Sequence, residues 1–158
     1  MVKEFLPAMI EKNHGHVVTM ASAAAYIAVA QMVDYSATKA AALAFHEGLT
    51  AELKAVFKAD KVKTTVITPM WIDTPLIADL AKNPNFKDTM LDVTDVADEI
   101  VKHIVSGKSG HLIMPKDANA VTGIRGWPSW LQYPLRDFFA SKSAEIQHFG
   151  TGKFSGTA

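Results

Sequence analysis

The 158-residue chain contains no cysteine, so disulfide bonds and thiolate metal sites are excluded. This absence fits a reducing compartment. Neither sign of charge is in excess, because sixteen basic residues balance sixteen acidic ones. Without a basic surplus, the composition gives no indication of nucleic acid binding. The hydrophobic content of 49% is that of an ordinary soluble globular domain.

Long apolar runs are missing as well, so the sequence predicts no transmembrane helix. Near the N-terminus, Lys3, Glu4, Glu11 and Lys12 surround a short apolar stripe. This pattern is unlike a secretory signal and is typical of an amphipathic helix. We therefore expect the chain to begin within a helix, as it would if a further segment preceded it.

Apolar and β-branched runs alternate with helical patterns along the chain. Strands are expected at 16–22, 62–68 and 111–115, and helices near 5–12 and at 35–57, 76–82 and 96–105. An alternation of this kind implies parallel strands with right-handed crossovers. The predicted fold class is therefore α/β, as the C-terminal half of a doubly wound sheet with three parallel strands and flanking helices.

Three polar side chains stand out around the first strand and the long helix. Ser22 lies at the end of the strand, Tyr35 begins the helix, and Lys39 lies four residues later on the same helix face. Ligand sites of open α/β sheets lie beyond the carboxyl ends of the strands, where Ser22 falls. Considered alone, Tyr35 is better explained as a packing residue. The three residues together, in this order and spacing, favour a catalytic role.

The Ser-x12-Tyr-x3-Lys spacing resembles the short-chain dehydrogenase/reductase family. The resemblance continues in GHVVTMAS, ALAFHEGLTAEL and TVITPMWIDT and covers roughly residues 1 to 115. It implies a Rossmann-like fold and hydride transfer between a nicotinamide cofactor and a small substrate. The chain is most similar to the branch that acts on retinoids, steroids (the 17-beta-hydroxysteroid dehydrogenases) and other lipophilic alcohols or ketones.

The resemblance implies a catalytic role for each of the three residues. Tyr35 would be the general acid/base, Ser22 would hydrogen-bond the substrate oxygen, and Lys39 would bind the nicotinamide ribose and favour the phenolate. A free tyrosine titrates near ~10, which is too high for a base at neutral pH. A neighbouring cation favours the charged form of an acid, which is the role expected of the lysine.

The segment from Pro69 to Thr74 is similar to the family's Pro-Gly-x-x-x-Thr loop. By resemblance Pro69, Ile72 and Thr74 contact the cofactor: the Ile72 backbone would meet the carboxamide, and Thr74 the carboxamide or pyrophosphate. Met70 replaces the usual glycine and would be strained if its position required positive φ. The implied cofactor is NAD or NADP, with NADP slightly preferred.

The family's glycine-rich T-G-x-x-x-G-x-G turn, which holds the pyrophosphate, has no counterpart before Ser22. We therefore expect a C-terminal part of such an enzyme, with weak or absent nicotinamide binding by this chain alone. An unpaired apolar sheet edge is also expected. The alternative is a non-catalytic remnant that associates with a membrane or a partner protein.

The histidines show no metal-ligand spacing, so no metal site is predicted and structural roles are favoured. They are His14, His16, His46, His103, His111 and His148. A stripe of small residues on the long helix has two explanations, packing inside the monomer or a homodimer face through the helix at 35–57. The stripe comprises Ala37, Ala41, Ala44, Gly48 and Ala51.

The sequence divides into a truncated cofactor-binding domain at 1–117, an aromatic helical extension at 118–148 and a disordered tail at 149–158. For the extension, a helix covering the core is favoured over a lipid-facing surface with Arg125 and Arg136 near head groups. The expected partner is a small lipophilic substrate. The cytoplasm and the surface of the endoplasmic reticulum or a lipid droplet remain alternative locations.

Overall fold

A computed structural model of the chain describes residues 1–145. The strands are β1 (Gly15–Met20), β2 (Val62–Pro69) and β3 (Gly110–Met114). The helices are α1 (Val2–Glu11), α2 (Val33–Ala55), α3 (Ala78–Ala81), α4 (Val93–Val105), α5 (Ala120–Gly123) and α6 (Ser129–Glu145). Single 3-10 turns lie at Ala23–Ala25, Pro75–Ile77, Lys116–Asn119 and Ile124–Gly126.

The three strands form one parallel sheet in the order β1-β2-β3. The register pairs Met20 of β1 with Ile67 of β2, and Pro69 of β2 with Met114 of β3. The α/β prediction with three parallel strands is thus confirmed. Because the strands are parallel, all three carboxyl ends meet at one edge of the sheet, which we call the carboxyl edge.

The central strand β2 is buried between helices on both faces of the sheet. Every residue of β2 except Lys63 is buried, and Ile67 is 0% exposed. Helices pack on both faces: Val66 lies in a cluster with Leu43 of α2, and Ile67 lies in a cluster with Val96 of α4. A strand covered on both sides needs a continuous apolar or threonine-rich run, which VKTTVITP supplies.

Helices α1 and α2 share a second cluster, centred on Leu49 and Leu53 of α2 and Val62 of β2. The apolar stripe of α1, including Leu6 and Met9, packs against it. Helix α1 therefore joins the sheet through Val2, Leu6, Met9 and Ile10, whereas Phe5 is 63% exposed.

Several predicted boundaries were wrong by a few residues. Strand β1 ends at Met20 rather than at 22, because the chain turns into the 3-10 helix capped by Ser22. Helix α4 begins at Val93 rather than at 96, since the carboxylate of Asp92 accepts hydrogen bonds from the backbone N–H groups of Thr94 and Asp95. These bonds also lower the pKa of Asp92.

The small-residue stripe of α2 faces solvent. All five of its members are exposed: Ala37, Ala41, Ala44, Gly48 and Ala51. The explanation that this stripe packs inside the monomer is therefore wrong, because the buried face of α2 is built from larger side chains such as Leu43, Leu49 and Leu53.

The C-terminal extension covers part of the core, as its amphipathic pattern predicts. Leu135 and Phe139 of α6 pack against the cluster that contains Tyr26, whereas Trp130 and Phe138 are 73% and 62% exposed. Within the described range no helix is both long and apolar enough to span a membrane. The predicted tail at 149–158 and the last residues of the extension, 146–148, lie outside the described residues.

Candidate active site at the carboxyl edge

Ser22 lies in the first turn after β1. The backbone N–H of Ala21 still donates to Ile67 of β2 at 2.8 Å, and the chain then leaves the sheet. The Ser22 hydroxyl caps the 3-10 turn by accepting a hydrogen bond from the Ala24 N–H at 3.2 Å. It also donates to the carbonyl oxygen of Pro69 at 3.4 Å. This buried side chain therefore connects the turn that follows β1 to the end of β2.

Tyr35 and Lys39 share the first turns of α2, as their spacing predicts. The Asp34 carboxylate accepts a hydrogen bond from the Tyr35 N–H at 2.8 Å, which satisfies a free donor at the start of the helix. The Lys39 ammonium lies 5.5 Å from the centroid of the Tyr35 ring. At this distance the cation acts electrostatically on the phenol.

The lysine also ties the helix to β1. Its Nζ donates a hydrogen bond to the carbonyl oxygen of Met20 at 3.2 Å. An ammonium carries three donors, so this bond leaves donor capacity for a ligand. Lys39 and Tyr35 are thus held at the end of β1, two residues before Ser22, and among the described residues no hydrogen bond joins Ser22 directly to Tyr35.

The loop after β2 is regular at its start. Pro69 is the last residue of β2 and is buried, and the Met70 N–H donates to Met114 of β3 at 2.8 Å. Met70 is not one of the described non-glycine residues with positive φ. The condition for strain, a positive φ at this position, is therefore not met, and methionine can replace the glycine without strain.

Ile72 and Thr74 follow in the same loop. Ile72 forms an isolated parallel bridge with Leu91, made by the Trp71 carbonyl and the Asp73 N–H. This pairing leaves the Ile72 N–H outside the bridge. The Thr74 hydroxyl donates to the Ile72 carbonyl at 3.3 Å and lies at the start of the next 3-10 turn. The loop that follows Pro69 therefore carries a backbone donor outside the bridge and a hydroxyl.

The segment after Pro75 forms its own small apolar cluster, with Ile77 and Leu80 buried. Trp71 packs edge-on against Phe86, with ring centroids 5.6 Å apart, and its indole N–H donates to the Asp88 carboxylate at 3.1 Å. Trp71 is thus held by this segment, next to the loop that contains the predicted cofactor contacts.

Sequence reasoning missed a group of side chains beside the Ser22 turn. Tyr26 ends that turn, and its hydroxyl lies 3.3 Å from Nε2 of His111 on β3. The same nitrogen lies 2.7 Å from the hydroxyl of Thr68, and the Tyr26 and His111 rings stack with centroids 6.0 Å apart. Tyr26 is the one large polar side chain in the SAAAYIAVA segment, and this contrast with its small apolar neighbours could have indicated a role for it.

Burial is the main cause of the pKa shifts of Tyr26, His111 and His46. Desolvation raises the pKa of the Tyr26 hydroxyl, with Glu47 acting in the same direction and Arg125 against it. Burial lowers the pKa of His111, whose Nε2 side is enclosed by the two hydroxyls, and Glu47 opposes this shift. Burial also lowers the pKa of His46 on α2, with a smaller contribution from His111.

His46 has a further peculiarity. Its side chain is 8% exposed, and its buried Nδ1 has no hydrogen-bond partner. It lines an open groove of about 340 Å³ between α2 and β3, together with Glu47, Thr64, Ser109 and His111. Within the part of the chain that the structure describes, no three histidine or carboxylate side chains are grouped so as to hold a metal ion.

Comparison with known families and proteins gives concordant matches. A model of the short chain dehydrogenase family matches residues 1–85. Dehydrogenase RED2 of Cochliobolus heterostrophus is 61% identical over 66 residues, which are 42% of this chain and 25% of that protein. Estradiol 17-beta-dehydrogenase 11 of Homo sapiens is 42% identical over 105 residues, which are 66% of this chain and 32% of that protein. The chain spans about a quarter to a third of the length of these curated relatives.

Solved structures match as well. A short chain dehydrogenase from Burkholderia cenocepacia in complex with NADP superposes with a TM-score of 0.66 at 26% identity, covering 85% of this chain and 52% of that one. A second, from Burkholderia phymatum in complex with NAD, gives a TM-score of 0.64 at 21% identity, over 83% of this chain and 54% of that one, and shares the fold. One of these neighbours contains NADP and the other NAD.

Proposed function

The chain belongs to the short-chain dehydrogenase family, and on that premise we propose that it supplies the proton-transfer groups of an oxidoreductase. The proposed reaction moves hydride between NAD or NADP and a lipophilic alcohol or ketone of the steroid, retinoid or fatty type. One observation carries the proposal. The Lys39 ammonium lies 5.5 Å from the Tyr35 ring centroid and is bound to Met20, beside the Ser22 turn at the carboxyl edge.

Each of the three side chains has a defined task in this proposal. The Tyr35 hydroxyl donates a proton to the substrate oxygen during ketone reduction and removes it during alcohol oxidation. Lys39, whose ammonium lies beside the Tyr35 ring, binds the ribose of the nicotinamide cofactor. Ser22 donates a hydrogen bond to the substrate oxygen, which requires its hydroxyl to leave the long 3.4 Å bond to Pro69.

The donors of the carboxyl edge fit the nicotinamide end of the cofactor. The remaining N–H groups of Lys39 suit ribose hydroxyls, and the Ile72 N–H with the Thr74 hydroxyl suits a carboxamide. When bound, the cofactor supplies or accepts the hydride. Pro69 contributes by holding the loop to the sheet, because it ends β2 and its carbonyl anchors Ser22.

The substrate class rests on similarity and on local chemistry. Relatives that match this chain over 105 residues are named estradiol 17-beta-dehydrogenase 11, and a further relative is named 17-beta-hydroxysteroid dehydrogenase 13. The exposed Met70 and the half-buried Trp71 lie in the loop beside the proposed site. Both side chains suit an apolar substrate better than a charged one.

The test is a hydride-transfer assay with Tyr35→Phe and the matched control Tyr133→Phe, which alters an exposed tyrosine of α6. Because this chain has no glycine-rich phosphate turn, the assay uses the chain fused to the complementary N-terminal portion of estradiol 17-beta-dehydrogenase 11. Oxidation of NADPH and of NADH is followed by absorbance with a steroid ketone as substrate.

We expect Tyr35→Phe to lower kcat by at least about 100-fold, the lower end of what general acid catalysis contributes. Tyr133→Phe should leave kcat unchanged. A Tyr35→Phe fusion that transfers hydride at the parent rate, while the parent itself is active, would remove the proposed proton-transfer role. Equal rates with a steroid ketone and a short polar ketone would contradict the substrate class and leave the catalytic assignment intact.

A further inference from the structure

We propose that Tyr26 and His111 are positioning residues, which fix the turn that presents Ser22 at the carboxyl edge. The inference rests on the proposed function, because that function is what gives the orientation of Ser22 its importance. Neither residue contacts the proposed reacting atoms. Their role is to act through the 3-10 turn Ala23–Ala25, which begins at Ser22 and ends at Tyr26.

The turn itself is short and has few bonds of its own. The Ala25 N–H donates to the Ser22 carbonyl at 2.9 Å, and the Tyr26 N–H donates to the Ala23 carbonyl at 3.0 Å. The Ala24 N–H is held by the Ser22 hydroxyl, the same group proposed to contact the substrate. Hydrogen bonds in a 3-10 helix have poorer geometry than those in an α-helix, so contacts outside the turn matter for its stability.

Outside support comes from the far end of the turn. Tyr26 is buried in the cluster with Leu43 and Val66, and its hydroxyl reaches Nε2 of His111 at 3.3 Å. His111 belongs to β3, where it is paired in register with Val66 of β2. The side chain of Tyr26 therefore joins the turn to a rigid part of the sheet.

Thr68 adds a polar contact to the pair formed by Tyr26 and His111. Thr68 is 1% exposed, and its hydroxyl lies 2.7 Å from the same His111 nitrogen. Thr68 directly precedes Pro69, whose carbonyl accepts the Ser22 hydroxyl. The turn is thus attached to the end of β2 at both of its ends, by Ser22 through Pro69 and by Tyr26 through His111 and Thr68.

The positioning role requires one tautomer of His111. A neutral imidazole whose proton is on Nδ1 has one lone pair at Nε2, which the hydroxyls of Tyr26 and Thr68 would share, and the Thr68 hydroxyl also donates to the Leu112 carbonyl at 3.4 Å. A protonated imidazole has no lone pair at Nε2, so the Tyr26 hydroxyl would lose its acceptor. The charged and titratable groups around the contact are Glu47 and His46 from α2 and Arg125, whose Nε donates to the Tyr26 carbonyl at 3.3 Å.

The test uses the 158-residue chain itself and does not require hydride transfer. Nitrogen-15 NMR of the histidine rings reports the protonated nitrogen of His111, and amide hydrogen exchange reports the stability of the turn. We expect Nε2 of His111 to be unprotonated at pH 7.5. We expect Tyr26→Phe to speed exchange of the Ala24 and Ala25 amides by about tenfold, while amides of β2 change by less than about twofold.

Matched variants separate the hydrogen bond from packing. Tyr133→Phe removes an exposed hydroxyl and should change nothing at the turn. Thr68→Ser keeps the hydroxyl beside His111 and should preserve protection of the turn, whereas Thr68→Val should not. His111→Phe retains a ring for stacking and should match Tyr26→Phe, with no further loss in the double variant.

The pH dependence of amide exchange in the turn distinguishes this positioning role from simple packing, because packing alone does not depend on protonation of His111. After correction for intrinsic exchange, the wild-type turn should lose protection as His111 becomes protonated, and Tyr26→Phe should abolish this pH dependence. A proton on Nε2 at pH 7.5, or unchanged exchange of the turn in Tyr26→Phe, overturns the proposal. Because no result depends on cofactor or substrate, failure here is distinct from failure of the proposed oxidoreductase function.

Discussion

The ammonium of Lys39 donates a hydrogen bond to the carbonyl oxygen of Met20 at 3.2 Å, which ties the start of α2 to the end of β1. The bond places the proposed acid/base, Tyr35, next to the strand end from which Ser22 departs. The relative placement of the three proposed catalytic residues is therefore a property of the sheet and of α2.

We expect neither NADPH nor NADH to raise the thermal unfolding temperature of the 158-residue chain appreciably. Its nine glycines form no T-G-x-x-x-G-x-G turn, so the pyrophosphate has no cradle of backbone donors. A ligand present at its own Kd adds only about 0.4 kcal/mol of stability. Differential scanning fluorimetry at millimolar cofactor measures this, and a clear saturable shift with either cofactor would contradict the expectation.

Ser22→Ala should lower the free energy of unfolding by about 1–2 kcal/mol. The hydroxyl accepts the Ala24 N–H and donates to the buried Pro69 carbonyl, so its removal leaves both groups without partners. Urea denaturation measures the difference, with Ser141→Ala on the exposed side of α6 as the control. An unchanged denaturation midpoint for Ser22→Ala would mean that the turn contributes nothing to stability.

Leu53→Ala should be strongly destabilising, by about 2–5 kcal/mol, because it opens a cavity in the cluster between α1, α2 and β2. The matched control is Leu76→Ala. Leu53 is 2% exposed and Leu76 is 79% exposed, so the two substitutions remove the same atoms from opposite environments. Guanidinium denaturation of both variants measures the contrast, and similar losses at the two positions would contradict the packing described for α1.

Stability should fall as the pH is lowered from 7.5 to 5. Burial lowers the pKa values of His16, His46 and His111 below 6.5. Below pH 6.5 the unfolded chain therefore binds protons more readily than the folded chain, and folding loses free energy until the folded-state pKa values are passed. The contribution of Asp92 is lost only in more acidic solution, because its lowered pKa lies below the normal range of a carboxyl group.

Urea denaturation at a series of pH values measures this dependence. His46→Asn should flatten it, because protonation of His46 would add a buried N–H at Nδ1, which has no partner. His14→Asn, at an exposed position, should leave the slope unchanged. A wild-type stability that stays level or rises between pH 7.5 and pH 5 would contradict the assignment.

Features set by local sequence were predictable. The run VKTTVITP is apolar or β-branched throughout and became the buried central strand, and the spacing of Tyr35 and Lys39 placed them on one helix face. The start of α4 was misplaced because both Asp92 and Thr94 are good capping residues, and only backbone geometry decides between them.

Contacts between distant parts of the chain were not predictable. Tyr26 and His111 are 85 positions apart, and their contact depends on the register between β2 and β3. The hydrogen bond from Lys39 to the Met20 carbonyl is of the same kind, since no sequence pattern marks a particular backbone oxygen as an acceptor. In both cases tertiary geometry selects the partner among many chemically equivalent groups.

We expect the outer side of β1 to affect how the protein behaves in solution. Among residues 1–145, β1 pairs with β2 alone, and Val18 and Met20 are 37% and 47% exposed along this strand. Unpaired strand edges with apolar side chains can pair with strands of other chains, so we expect concentrated samples to self-associate. Dilute conditions, or a partner that contributes a neighbouring strand, will keep the protein dispersed.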